Sequence, residues 1–234
     1  MVDYYLYLKR IRLAKNLSLG KMEMHSLRKT EDSREKIDLN LEKENQSTWL
    51  GRKSFRIVLT STFTALAIVF GYLLASLPNI ELFTLTIFLS GFILGKRDGM
   101  IVGFLSSSMF CFFNPYGVSP LPLLAFQLFY YSMTGLLGGF SSKFLGKKYY
   151  FKPEEDLYIF RVLVIFGLIG GFMTFFYDIF STLLGGIIVS PTIEYFLISY
   201  SAGIIFTTTH LIGNILGFIF ILPILIQLIH KLLY

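Results

Sequence analysis

Phe88-Leu89-Ser90-Gly91-Phe92-Ile93-Leu94-Gly95-Lys96-Arg97-Asp98-Gly99-Met100-Ile101-Val102-Gly103 is the stretch whose reading decides the fold. Apolar residues lead up to a charged triplet and away from it, and glycines recur at every fourth position. The two runs, residues 80–95 and 99–113, hold 16 and 15 residues. At about 1.5 Å per residue they reach roughly 22 to 24 Å, short of the roughly 30 Å of a hydrocarbon core. A re-entrant hairpin would carry Lys96, Arg97 and Asp98 to depth, at about 2.5 to 3.5 kcal/mol each. Two complete but short spans that thin the bilayer locally cost less.

Outward from this hairpin, further apolar runs cover residues 57–77, 120–140, 162–184 and 202–229, which makes six spans. The composition agrees. Hydrophobic residues make up 54% of the chain and charged residues 15%, against about 25% charge in a soluble domain. Residues 1–56 hold 13 of the 21 Lys+Arg and 8 of the 15 Asp+Glu, so the remaining 178 residues carry 15 charges. That is too few to cover a soluble surface. A soluble enzyme, a zinc module and a disulfide scaffold are excluded, the last because Cys111 stands alone. The expected fold class is an all-α integral membrane protein: a charged, cytosolic tail over residues 1–54 and a six-helix transmembrane domain over residues 55–234.

Positive charge sets the direction. Arg52, Lys53 and Arg56 precede the first span, Lys96 and Arg97 join the second and third, Lys143, Lys147, Lys148 and Lys152 join the fourth and fifth, and Lys231 follows the sixth. With six spans all of these fall on one side. The opposite loops, around Pro78-Asn79, at residues 114–119 and at residues 185–200, contain no Lys or Arg. By the positive-inside rule both termini are expected in the cytoplasm, with the chain in the cell membrane. The opening Tyr4-Tyr5-Leu6-Tyr7-Leu8 run is too short for a signal-peptide core and precedes its basic cluster. Two readings of the tail stay open: a solvated segment of mixed charge, or a weak interfacial helix on anionic lipid.

No string matches G-x-x-x-x-G-K-[ST], so any nucleotide that drives this protein is hydrolysed elsewhere. Of three histidines, His210 alone falls inside the bundle, and no multi-His metal cage can be written. The reading calls for no cofactor, no metal ion and no nucleic acid. Small residues recur at helix-packing spacing: Ala67, Gly71 and Ala75 in the first span, Ser61 and Ala65 on a neighbouring stripe, then Gly91, Gly95, Gly99 and Gly103, with Gly135 and Gly139 following. Most of these are expected to serve helix packing. The strip on the first helix is the candidate for docking a separate protein.

With its charged tail, six spans, small-residue first helix and the sequence Ile80-Glu81-Leu82 leading into the glycine-rich hairpin 88–103, the chain resembles the substrate-binding S components of energy-coupling-factor vitamin transporters. The resemblance covers roughly residues 55–230. It implies a pocket near the outer surface, built from the outer loops and the outer ends of helices four to six, that binds a vitamin or related micronutrient. It also implies docking, through the small residues Ala67, Gly71 and Ala75, onto a membrane coupling protein driven by two ABC ATPases, and toppling in the bilayer to release the load. The family's alanine-xxx-alanine strip stands here as Ala67-xxx-Gly71-xxx-Ala75. The resemblance does not name the ligand.

Polar groups in the outer half are therefore the candidate substrate site, because an ionisable group within a span is costly. Asp178 stands near the outer end of span five, His210 in the first third of span six with Asn214 one turn deeper, and Gln127, Tyr130 and Tyr131 at that level in span four. The outer loops add Asn79, Glu81, Asn114, Tyr116 and Glu194. Such a set offers carboxylates, amides, an imidazole and aromatic faces but no Lys or Arg. It favours a neutral or cationic ligand, thiamine-like, pyridoxine-like, flavin-like or corrinoid, with an anion on backbone amides left open. Structural roles compete at each position: wetting of Asp178 at the interface, a helix-to-helix bond for His210, packing for Tyr130, Tyr131 and Tyr177, and a plain turn at Asn114-Pro115-Tyr116-Gly117. At the level of the whole protein the alternative is a membrane scaffold of the MreD kind, without a small-molecule ligand. An intramembrane enzyme using Asp178, Glu194 and His210 is disfavoured, since these residues come from separate segments with no motif.

Overall fold

The computed structural model describes residues 50–77, 79–114 and 117–233. Nearly all of the expected tail, and the candidate Tyr116, lie outside the described residues. Among the described residues seven helices follow one another: α1 (Lys53–Leu73), α2 (Phe83–Leu94), α3 (Lys96–Phe112), α4 (Leu121–Leu145), α5 (Phe160–Gly186), α6 (Ile193–Ala202) and α7 (Ile204–Leu233). A π turn, Gly217–Ile221, interrupts α7. No strand occurs among the described residues. Helices α1, α4, α5 and α7 are long and apolar enough to cross a membrane, which is the make-up of a helical membrane protein. Their outward faces carry large apolar side chains such as Leu121, Phe160 and Ile205, each about three-quarters exposed.

Helix α2 lies at the centre. It is apolar around its whole circumference and almost every residue in it is buried, as expected of a helix with no polar face to present. It packs on α1, α3, α4 and the C-terminal part of α7. Its 12 residues reach about 18 Å, less than the span expected over residues 80–95. The helix begins three residues late, and that leaves Glu81 outside it. A second difference concerns residues 185–200, expected as a loop. Most of α6 lies there, its start capped by the Thr192 hydroxyl, which accepts from the Tyr195 amide at 3.2 Å.

The glycine spacing is explained by backbone contact. A Cβ on Gly91 would collide with the Gly135 carbonyl, one on Gly99 with the Gly91 Cα, and one on Gly103 with the Tyr131 carbonyl. Helices α2, α3 and α4 thus approach main chain to main chain, as small-xxx-small faces permit. Gly138, outside the four-residue register, does the same against the Phe88 carbonyl. Gly95 serves differently: it joins α2 to α3 with φ 93° and ψ 174°, a conformation essentially restricted to glycine.

Two members of the charged triplet have partners where they stand. Asp98 accepts from Arg56 Nε of α1 at 2.8 Å, and Arg56 also donates to the Leu94 carbonyl at the end of α2. Lys96 Nζ sits 3.3 Å from the Phe140 ring centroid. At the same end, Arg161 donates to the Tyr149 hydroxyl and the Gln227 amide to the Glu155 carbonyl. Within the helices, the hydroxyls of Thr64, Ser106, Ser132, Thr134 and Thr174 each donate to the carbonyl four residues back. Their polarity is satisfied without a partner helix.

The small-residue strip of α1 faces inward. Ala67 and Gly71 are buried, and a Cβ on Gly71 would lie 2.9 Å from the Phe110 ring. Ala75, beyond the end of the helix, is half-buried. The neighbouring stripe, Ser61 and Ala65, is the exposed one, flanked by Val58 and Val69. The physical reason is the width of the α1–α3 contact: the aromatic rings of Phe83 and Phe110 need the room that glycine leaves.

Candidate functional site

A cavity of about 670 Å³ opens at the end of the bundle opposite the Arg56–Asp98 pair. Its wall draws on the C-terminal end of α1, residues 79–83, the end of α3, the first half of α4, the last third of α5 and the start of α7. Seven of the ten candidate substrate residues line it: Asn79, Glu81, Asn114, Gln127, Tyr131, Asp178 and His210. Asn214 is buried one turn below His210 on α7 and is not part of the lining. Glu194 is exposed on the first turn of α6, away from the cavity. Gly71 and Ala75, candidates for docking, line the cavity instead.

The chemical centre of the site is a trio. His210 Nδ1 lies 2.7 Å from Asp178 Oδ1, and its Nε2 lies 3.1 Å from Glu81 Oε1. Three elements are tied by one ring: α5, α7 and the segment that precedes α2. Glu81 Oε1 also accepts from the Thr84 hydroxyl. His210 and Asp178 are buried, and Glu81 is half-buried. Each of the two carboxylate–imidazole bonds needs a proton. Two protons shared among one imidazole and two carboxylates leave a net charge of −1, whichever atoms carry them. Both ring nitrogens are engaged, so His210 presents no lone pair to a metal, and among the described residues no group of three or more His, Cys, Asp or Glu is placed to hold one.

Around the trio stand aromatic and amide groups. Tyr177 packs edge-on against His210 with ring centroids 6.0 Å apart, and Phe83 meets Tyr131 edge-on at 4.8 Å. Gln127 Nε2 donates to the Tyr177 hydroxyl at 3.1 Å, and the Cys111 thiol faces Gln127 Oε1 at 3.4 Å. Tyr130 is turned away, its hydroxyl donating to the Met173 carbonyl at 3.0 Å, and it has a packing role. Asn79 adopts φ 58°, a left-handed conformation that asparagine tolerates and most residues do not. Among the described residues two buried side-chain atoms lack a hydrogen-bond partner: Asp178 Oδ2 and Asn214 Nδ2.

Several lining residues escaped the sequence reading. Ser181 and Thr182 stand three and four positions after Asp178, and Thr207 three before His210. These are same-face spacings on a helix, so a search outward from each ionisable residue along its own face would have found them. Phe110 and Phe206 had no such signal, being two among 25 phenylalanines.

Comparisons with protein-family models, with curated proteins and with solved structures find no match to this chain.

Proposed function

We propose that this chain is the membrane-embedded substrate-capture subunit of an energy-coupling-factor importer. It spans the membrane six times with both termini cytoplasmic, binds a vitamin-like micronutrient from the outer side, and is not itself an enzyme. Transport is powered by a coupling membrane protein and two ABC ATPases. The observation that carries this reading is the cavity: a space of about 670 Å³ open at one end of the bundle, within the size range of small-molecule sites, lined by aromatic rings and buried polar groups. It opens at the end away from the basic loops, which by charge is the outer end. A scaffold has no need for a buried carboxylate–imidazole–carboxylate cluster facing such a space, so ligand capture is favoured over the MreD-like alternative.

Docking is assigned to the exposed Ser61–Ala65 stripe of α1 rather than to the inward strip at Ala67, Gly71 and Ala75. Native mass spectrometry of the gently solubilised full chain tests the reading in one spectrum. The expected result is a stoichiometric small molecule together with a coupling protein and two ATPases. A chain that carries cell-shape proteins and no small molecule, even after incubation with a vitamin mixture, would move the assignment to the scaffold.

A further inference from the structure

The charge of the cavity is decided by its lining, which among the described residues includes two carboxylates and an imidazole and no Lys or Arg. With the two protons its bonds require, the trio carries a net charge of −1 beside a cavity open at one end, and a buried charge is stabilised when a counter-charge reaches it. Asp178 adds a second sign of incompleteness. The residue is 7% exposed and lines the cavity, yet its Oδ2 has no hydrogen-bond partner. Its Oδ1 is already engaged by His210, so Oδ2 is the carboxylate oxygen with capacity left for a donor. Aromatic rings from Phe83, Tyr131 and Tyr177 share the lining, and such rings attract cations through their faces.

We propose, resting on the capture reading above, that the ligand is a heteroaromatic cation with N–H donors. Its charge is offset by Glu81, His210 and Asp178, its donor is accepted at Asp178, and its ring packs against Tyr131 and Tyr177. An anion would add a second negative charge beside the first with no lining cation to hold it. A neutral ligand would seal the trio's charge away from water without compensating it.

The test uses three pyridines of nearly equal size that differ in charge: 1-methylnicotinamide, nicotinamide and nicotinate. Their binding to the purified full chain is measured by calorimetry at neutral pH, beside the native mass spectrum of the same preparation. The cation is expected to bind about tenfold or more tightly than the other two, and Glu81→Gln and Asp178→Asn, each checked for monodispersity, are expected to remove that preference. A small molecule retained from cells is expected to be cationic. Equal binding of the three, tighter binding of nicotinate, or a retained anion overturns the cation proposal and leaves ligand capture standing. Absence of any retained molecule and of any probe binding overturns both.

Discussion

His210 ties together three separate elements of this molecule. Its ring is shared by two carboxylates from different elements, at 2.7 Å and 3.1 Å, so its removal leaves Glu81 and Asp178 facing a common space without the group that separates them. Breaking a buried charged network by deleting one partner costs about 3 to 5 kcal/mol. His210→Ala is therefore expected to lower unfolding stability in detergent by about that amount, measured by denaturant titration. Asp178→Asn retains a hydrogen-bonding side chain and should cost clearly less. If His210→Ala unfolded like the parent protein, the trio would have no structural weight. The candidate status of Glu81, Asp178 and His210 was legible from the expense of ionisable residues near apolar runs. Their mutual contact was not, because Glu81 and His210 lie 129 positions apart and nothing local relates them.

Among the helices, the contact of α2, α3 and α4 makes the sharpest demands. Gly135 sits where a Cβ would strike the Gly99 carbonyl, which belongs to main chain and cannot rotate aside. Gly135→Ala is expected to destabilise by about 1 to 3 kcal/mol or more through overpacking. Gly95→Ala meets nothing within 4 Å, yet its φ of 93° should still make it cost about 1 to 3 kcal/mol in backbone strain. Thermal unfolding of both variants measures the two losses, and an unchanged midpoint for Gly95→Ala, which has no clash to meet, would refute the strain argument. Helix α1 makes a second distinction. Ala65→Leu alters an exposed face and, on the proposed capture function, should abolish association with a coupling protein while ligand binding persists. Gly71→Leu drives a side chain into the rings of Phe83 and Phe110 and should impair ligand binding. The reverse pattern in pull-down and binding assays would return docking to the inward strip. The four-residue spacing of small residues was visible in the sequence for both stripes, but which one faces lipid depends on the partners of α1, and spacing is blind to partners.

For the molecule as a whole, the separation of charge from cavity is the organising feature. Arg56, Lys96, Asp98, Glu155 and Arg161 make their contacts at one end, and the cavity opens at the other. If the charged end is cytoplasmic, a cysteine at Val118 should react with an impermeant maleimide applied outside intact cells, and one at Lys147 should react only after permeabilisation. Both positions are exposed, and the native Cys111 is 1% exposed, so background labelling should be low. Labelling of both positions from outside would refute the inward orientation of the basic loops.

The membrane character, the existence and order of the long helices and the segregation of charge follow from the sequence by itself, because hydrophobic length and charge asymmetry act along the chain and need no knowledge of its neighbours. Tertiary structure alone decided that α2 is a short buried core helix, that α6 occupies an expected loop, that the Ala67–Gly71 strip turns inward, and that Glu81, His210 and Asp178 meet. Each of these depends on which surfaces face one another once the helices assemble. Main-chain contact at Gly91, Gly99 and Gly135 fixes how closely α2, α3 and α4 approach, and the placement of the remaining helices around them forms the walls of the cavity.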